Sequence, residues 1–278
     1  MNRQNYYSEK ARQYTEEGFC VLENILEPKD LGLLKSSCEE HLRALSSEHR
    51  EKERSTGSMI NLAEIPELAG LIANKKALCE FEKMGFGDVR FSSGYLISKP
   101  PKSPPLFWHF DWAAWGHPAS FEKIPLQTFF MYYLVDTTID NGCLKVIPRS
   151  HLEEHPLHEM MRSAHSDELK KATNLESKEF QSHPDEVNVC VKAGDLVIGD
   201  SRIIHGSHPN NSELERPVIT IWMHPEFSSL PEELQAFCKR HNYSDWSKEA
   251  QKILEPLKPI YEGNKDAAPW NRIRPKMR

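Results

Sequence analysis

The middle of the chain alternates apolar and polar positions over short runs, a pattern typical of half-buried β-strands. Turn residues separate these runs at regular intervals, so the pattern predicts a sandwich or jelly roll. The turn signal Asp140-Asn-Gly142 predicts that the strand after it pairs with the strand before it. The predicted strands are 89–98, 106–112, 126–136, 143–148, 190–191, 196–199, 202–205 and 218–224.

Helical periodicity flanks the strand region on both sides. The N-terminal part predicts a helix over Ser8–Glu17, a strand over 19–24 and a longer helix opened by Pro28. After the strands, two further helices are predicted at 232–239 and 247–254. The helix opened by Pro28 has one apolar face, formed by Leu31, Leu34, Cys38, Leu42 and Leu45.

Length and composition favour one domain. A chain of 278 residues, of which 38% are hydrophobic, can bury a large core. Within this domain we predict a helical N-terminal part over 1–88, a jelly-roll core over 89–227 and a helical C-terminal extension over 228–278. The polar stretch from Ser46 to Gly57 is predicted to be a frayed helix end and a mobile loop.

A polar, histidine-rich insertion over 149–186 interrupts the strands, and we predict that it forms a lid, because loops of this length usually serve function. Several histidines lie close together in this insertion and could be mistaken for metal ligands. Their Glu, Ser and Pro neighbours favour structural or solvent-facing roles. The four that lie within fifteen residues of one another are His151, His155, His158 and His165.

The net charge and the cysteines limit the partners and the cellular compartment that the sequence predicts. The formal net charge is -6, and acidic and basic residues are interspersed, which argues against a nucleic-acid partner. The basic tail over 271–278 is interpreted as a solvated terminus or a minor packing arm. Six scattered cysteines without metal spacing predict reduced, mostly packed thiols in a cytoplasmic protein. No apolar run is long enough for a membrane span, and the N-terminus lacks a signal-peptide core.

The candidate chemistry centres on the motif Phe107-Trp-His-Phe-Asp-Trp112. His109 and Asp111 are two residues apart, so on one strand both side chains point to the same face. A later strand carries His205. Two histidines and one carboxylate form the facial triad of non-haem Fe(II) oxygenases, whereas an isolated His-x-Asp motif occurs by chance in many proteins.

Several motifs together resemble the phytanoyl-CoA dioxygenase family of Fe(II)/2-oxoglutarate-dependent oxygenases, over residues 12–227. The resemblance implies a mainly β fold with flanking α-helices, a double-stranded β-helix of jelly-roll, cupin-like type. It implies that His109, Asp111 and His205 bind Fe(II). The motifs are Glu17-Gly-Phe-Cys-Val-Leu, His109-Phe-Asp111, Asn141-Gly-Cys-Leu-Lys-Val-Ile-Pro-Arg-Ser-His151, Gly194-Asp-Leu, His205-Gly-Ser207 and Arg216.

The resemblance also implies a cosubstrate site. Arg216 is expected to pair with the distal carboxylate of 2-oxoglutarate, a role that suits the guanidinium fork. Ser207 is expected to hydrogen-bond the same carboxylate, and Tyr95 to line the pocket. Gln127 and Thr128 are weaker candidates, since the spacing does not fix which one points inward. A surface salt bridge for Arg216 and a turn position for Ser207 are the alternatives.

Trp112 and Trp115 follow the metal motif and are candidates to contact the prime substrate, although buried aromatic residues more often belong to a core. The expected function is hydroxylation of an unactivated C–H bond of a small-molecule metabolite. It consumes dioxygen and converts 2-oxoglutarate to succinate. The alternatives are desaturation or rearrangement, a zinc-dependent hydrolase or isomerase, and a non-catalytic binding module. The sequence does not identify the substrate and leaves monomer and homodimer open.

Overall fold

The computed structural model describes residues 3–163, 166–239 and 243–276. These residues form ten β-strands in two antiparallel sheets, one ordered β1-β8-β5-β10-β3-β2 and the other β4-β9-β6-β7. The strands are β1 (Phe19–Leu22), β2 (Ile60–Asn61), β3 (Arg90–Lys99), β4 (Leu106–His109), β5 (Thr128–Tyr133), β6 (Leu144–Ile147), β7 (Val187–Val189), β8 (Leu196–Asp200), β9 (Ile204–Ser207) and β10 (Arg216–His224). The predicted jelly roll is confirmed.

The two sheets pack face to face, because apolar side chains from both form one buried cluster. Strand β5 shows how the alternation works. Phe129, Met131 and Tyr133 point inward to this cluster, whereas Phe130 and Tyr132 point outward to the cluster that the N-terminal helices cover. Both faces of β5 are therefore buried, which explains its almost continuous apolar sequence.

The predicted pairing across Asp140-Asn-Gly142 is wrong. Strand β5 lies between β8 and β10 in the six-stranded sheet, whereas β6 pairs with β7 and β9 in the other sheet. The turn does form, with Gly142 at a φ of +87°, but the chain crosses from one sheet to the other around it. A local turn signal predicts a reversal of direction and does not identify the strand's neighbour.

Eight α-helices lie in the described ranges: α1 (Arg3–Glu17), α2 (Pro28–Arg43), α3 (Ser47–Lys52), α4 (Ala69–Ile72), α5 (Lys75–Lys83), α6 (Asp167–Lys171), α7 (Glu232–Cys238) and α8 (Lys248–Leu254). Helix α1 begins five residues before its predicted start at Ser8. The predicted apolar face of α2 is confirmed, with Cys38 and Leu42 buried and the other three leucines packed beside them. Helices α7 and α8 lie where the sequence predicts them.

The stretch from Ser46 to Gly57 is not the predicted mobile loop. The Ser46 hydroxyl accepts a hydrogen bond from the His49 amide and caps α3. Beyond the helix, Ser55 and Thr56 are buried, and the Ser55 amide donates to the Lys170 carbonyl at 2.7 Å. The sequence does not reveal the burial of Ser55, because its partners, the Lys170 and Pro105 carbonyls, come from distant segments.

The insertion over 149–186 is docked on the domain where it is described. Leu169, Ala172 and Phe180 pack on Phe107 of β4, and the Trp108 indole donates to the Gln181 carbonyl at 2.8 Å. The predicted lid role stays a prediction, and His165 lies outside the described residues.

No helix within the described ranges is long and apolar enough to cross a membrane. All six cysteines are free, and four of them are buried.

A buried ion pair fixes the segment between β8 and β9. Arg202 is 1% exposed and binds both carboxylate oxygens of Asp200, at 2.9 and 2.7 Å. Its remaining N–H groups donate to three backbone carbonyls, those of Ser120, Glu122 and Ile124. One guanidinium therefore joins the sheet to the loop that follows β4.

We expect Arg202→Met to destabilise the protein by about 3–5 kcal/mol, because it leaves the Asp200 carboxylate buried without its partner. Urea unfolding measures the change. Arg43→Met is the control: it removes an exposed i,i+4 pair with Glu39 and should change little. Equal stability of both variants would contradict the assigned role of Arg202.

Candidate metal centre

Two neighbouring strands carry the histidines of the predicted triad. His109 ends β4, and it is the register partner of His205 in β9. The chain after β4 is held by a backbone clamp, because the amides of Asp111 and Trp112 both donate to the Ser201 carbonyl, at 2.8 and 2.9 Å. The strand and the clamp together fix the positions of all three side chains.

The three side chains meet in a buried cluster. The Nε2 atom of His109 lies 3.5 Å from Asp111 Oδ1, and that of His205 lies 3.7 Å from Asp111 Oδ2. One ligand atom from each residue falls within 4.8 Å of the others. This set of two imidazoles and one carboxylate fits a divalent transition metal and leaves coordination positions for other ligands.

Hydrogen bonds fix the tautomer of both imidazoles so that each can bind a metal through Nε2. The Nδ1 atom of His109 contacts the Phe107 carbonyl at 3.1 Å, and that of His205 contacts the Ile203 carbonyl at 3.1 Å. A carbonyl can only accept, so each Nδ1 carries the proton and each Nε2 presents its lone pair. Burial, and then the neighbouring His205, lower the pKa of His109 to about 3, so its ring is neutral as metal binding requires.

A second group with metal-ligand spacing, formed by His155, His183 and Asp185, lacks this preparation. The Leu157 amide donates to His155 Nδ1 at 3.3 Å, and the Asp185 amide donates to His183 Nδ1 at 3.2 Å. Each Nδ1 is thus an acceptor, which leaves the proton of the neutral ring on Nε2. The prediction that His151, His155, His158 and His165 have structural or solvent-facing roles stays a prediction.

Trp222 supports the Asp111 carboxylate and was not predicted from the sequence. Its indole N–H donates to Asp111 Oδ2 at 2.8 Å. Trp222 lies in β10 six residues after Arg216, so both side chains point to the inner face. This even spacing is the sequence signal that could have identified Trp222.

A cavity on the inner face extends from the triad to Arg216. Arg216 is 4% exposed, and its Nε atom has no hydrogen-bond partner within the described residues. The hydroxyls of Ser207 and Thr220 also line the cavity and are likewise buried without a described partner. Unsatisfied buried donors beside a cavity indicate a polar ligand that would occupy it.

Lys99 is a second buried cation in this cavity, and the sequence did not predict it. It is the register partner of Arg216 and is 2% exposed. Its Nζ atom contacts the Ser55 and Pro104 carbonyls. Burial, and then the charge of Arg216, lower the pKa of the Lys99 ammonium well below its ordinary value. Asp111 is the only carboxylate among the residues that line the cavity, so two cations face one acid there.

The other predicted cosubstrate residues lie apart from Arg216. Tyr95 stands on the inner face, with its ring 6.0 Å from that of Trp222. Gln127 donates to the Ser92 hydroxyl at 3.2 Å. The structure contradicts the prediction for Thr128, because it points to the outer face and its hydroxyl donates to the Gly199 carbonyl at 2.8 Å.

The structure also contradicts the predicted substrate contacts of Trp112 and Trp115. Both side chains are fully buried in the apolar cluster behind the four-stranded sheet. The Trp112 indole donates to the Ser120 hydroxyl at 2.9 Å. The motif turns outward after Asp111, so the aromatic residues that follow it stabilise the loop.

Comparisons with known proteins agree on one family. Residues 14–218 match the family model described as phytanoyl-CoA dioxygenase (PhyH). A probable alpha-ketoglutarate-dependent hypophosphite dioxygenase of Stutzerimonas stutzeri is 22% identical over 229 residues, which cover 77% of each chain. The ectoine dioxygenase of Nocardia farcinica is 21% identical over 252 residues, 85% of this chain and 84% of its own.

A solved structure shows the same fold. The non-haem alpha-ketoglutarate-dependent epimerase SnoN from nogalamycin biosynthesis is similar with a TM-score of 0.59 at 18% identity. The similarity covers 79% of this chain and 83% of SnoN.

We expect Trp222→Phe to weaken metal binding about 10- to 100-fold, because it removes the hydrogen bond that orients the Asp111 carboxylate. Mn(II) titration followed by electron paramagnetic resonance measures the dissociation constant. Trp246→Phe makes the same change in the apolar cluster on the helical side and should leave the constant unchanged. Equal Mn(II) affinity in both variants would show that Trp222 does not position Asp111.

Proposed function

The chain belongs to the phytanoyl-CoA dioxygenase family and is an Fe(II)/2-oxoglutarate-dependent dioxygenase, and from this premise we propose that it hydroxylates an unactivated C–H bond of a small-molecule metabolite. In this proposal His109, Asp111 and His205 bind the iron, and Arg216 binds 2-oxoglutarate. The observation that carries it is the pairing of a buried, metal-ready triad with buried cations in one cavity. This arrangement suits a metal and an anionic cosubstrate at adjacent positions.

The protein's part in this chemistry is to bind and orient. When bound, iron and 2-oxoglutarate supply an oxidant from dioxygen, with release of carbon dioxide and succinate. Arg216 offers its guanidinium fork to the distal carboxylate, and Lys99 adds a second positive charge from the neighbouring strand. Ser207 and Thr220 also line the cavity and offer hydroxyl donors.

Family membership removes two of the alternatives. A zinc hydrolase or isomerase and a non-catalytic module do not belong to this enzyme class. Desaturation and rearrangement stay open beside hydroxylation, since the similar SnoN is an epimerase. In this proposal, the position of the substrate's C–H bond relative to the metal decides the outcome.

We expect Arg216→Gln to weaken 2-oxoglutarate binding about 100-fold, because a buried carboxylate loses its bidentate, charged partner. The measurement is an anaerobic titration of the Fe(II) protein with 2-oxoglutarate, followed by the weak visible charge-transfer band. Arg216→Lys keeps the charge without the fork and should lie between wild type and Arg216→Gln.

The triad itself is tested with His109→Ala, Asp111→Ala and His205→Ala, each of which should lose the band and succinate formation because a metal ligand is missing. Near-normal succinate formation by Asp111→Ala would contradict the ligand assignment. An unchanged 2-oxoglutarate midpoint in Arg216→Gln would contradict the cosubstrate assignment separately.

The lowered pKa of Lys99 predicts that 2-oxoglutarate binding takes up protons in the pH range above that lowered pKa. In the free protein, burial and then the charge of Arg216 lower the pKa of Lys99, which favours its neutral amine. A bound dianion raises that pKa, so the ammonium forms and affinity falls as pH rises. Calorimetry in buffers of different ionisation enthalpy counts the protons. Lys99→Met should abolish the uptake, and equal uptake in both proteins would exclude Lys99 as its source.

A further inference from the structure

A second cavity, of about 380 Å³, lies between the start of the insertion and the C-terminal tail. Residues 154–161 line one side, and Arg272, Arg274 and Lys276 line the other. Neither the metal triad nor the pocket that contains Arg216 contributes to its lining. The proposed chemistry therefore leaves this cavity without a role.

Backbone pairing brings the tail beside the metal motif. The Asn271 amide donates to the Ala113 carbonyl at 2.7 Å, and the Trp115 amide donates to the Asn271 carbonyl at 3.1 Å. Asn271 thus docks on the segment that directly follows Asp111. The tail is a packing arm of its own domain rather than the solvated terminus that composition also allowed.

Arg272 directly follows Asn271, which pairs with the segment after Asp111, and it lines this cavity. Burial lowers the pKa of its guanidinium, and the Asp111 carboxylate opposes that shift. The guanidinium lies over the Trp270 ring at 5.1 Å, and Trp270 in turn stacks on Phe237. These stacked rings hold the guanidinium in place before any ligand arrives.

Three nitrogen atoms of cavity-lining residues are buried and have no hydrogen-bond partner in the part of the chain that the structure describes. They are Nη1 of Arg272, Nε of Arg274 and Nε2 of His158. His158 Nδ1 accepts a hydrogen bond from the His155 amide, so Nε2 carries the ring proton and is a donor. Three donors around one space match a group with several acceptor oxygens.

The acidic residues of the cavity are already engaged. Glu159 is paired with Lys276 at 2.6 Å, and the charge of the exposed Glu154 acts on Arg274. The remaining acid near Arg272 is Asp111, which the metal engages in the proposed function. With two glutamates against three cations in the lining, the cavity keeps an excess positive charge.

We propose that this cavity binds an anionic group of the prime substrate, a carboxylate, phosphate or sulfate, with the Arg272 guanidinium as its principal ligand. The proposal rests on the proposed function, because it makes Arg272 the residue that orients the substrate toward the metal. It identifies the substrate class as small organic molecules that carry a carboxylate, a phosphate ester or a sulfate ester.

The first test is calorimetric titration of inorganic sulfate into wild-type protein loaded with Mn(II) and saturated with 2-oxoglutarate. Saturation fills the pocket at Arg216, so sulfate reports on the second cavity. We expect one-to-one binding that weakens about tenfold or more in Arg272→Gln, because a charge-assisted contact is lost. Arg272→Lys should retain part of the affinity, and neutral dimethyl sulfone should not bind.

The control variant is Arg43→Gln, which removes one positive charge from an exposed pair and should bind sulfate like the wild type. Equal affinity in Arg272→Gln and wild type would overturn the proposal. So would absence of sulfate binding to the wild type. Neither result depends on turnover, so failure here is distinct from failure of the Arg216 titration, which tests the proposed function.

The second test uses succinate release in a screen of metabolites, each compared with its neutral amide or alcohol counterpart. An anionic substrate should show a KM raised about tenfold or more in Arg272→Gln, with a smaller change in kcat, because Arg272 binds a group remote from the reacting C–H bond. A preference for the neutral counterpart, or a KM that Arg272→Gln leaves unchanged, would contradict the assignment.

Discussion

The register between β4 and β9 is the constraint on which the metal centre depends. His109 and His205 are direct partners across these strands, so their side chains share one face and reach the same point. A slip of one residue would turn one imidazole to the opposite face, because side chains alternate along a strand. Asp111 lies beyond the strand, and the Ser201 carbonyl holds its backbone by accepting two amides. Backbone hydrogen bonds thus set where the three ligands lie, and the Trp222 indole then orients the Asp111 carboxylate.

The same inner face carries a buried excess of positive charge. Arg216 and Lys99 are register partners, and burial of two like charges destabilises the folded chain unless an anion accompanies them. The protein retains this arrangement although Asp111 is the only acid among the residues that line the cavity. An anionic cosubstrate would relieve both the repulsion and the unsatisfied donors at Arg216, Ser207 and Thr220. Its binding should therefore stabilise the fold.

Local patterns in the sequence predict the fold class and the pair His109 and Asp111, because strand alternation and His-x-Asp spacing are short-range properties. His205 lies on a later strand, and the family resemblance joins it to the pair. Local patterns do not predict features that depend on residues far away in the sequence. Lys99 is an ordinary surface residue by composition, since lysines are rarely buried, and its register partner is Arg216, far along the chain. Trp112 and Trp115 were predicted beside a substrate because they are near the motif in sequence. The turn of the backbone after Asp111 instead directs them into the core.

The burial of the tail is likewise a feature that local sequence patterns do not predict. The tail is also a part of the chain that could select the substrate. Composition cannot distinguish a solvated basic terminus from a buried one, but pairing of Asn271 with the segment after Asp111 makes the tail a wall beside the metal centre. In the proposed function, residues of the sheets would bind the metal and the cosubstrate, whereas the insertion and the tail have neither task. Arg272 could therefore be replaced without disturbing the triad. The residues proposed for the oxidising step and the residue proposed for substrate binding thus lie in separate parts of the chain.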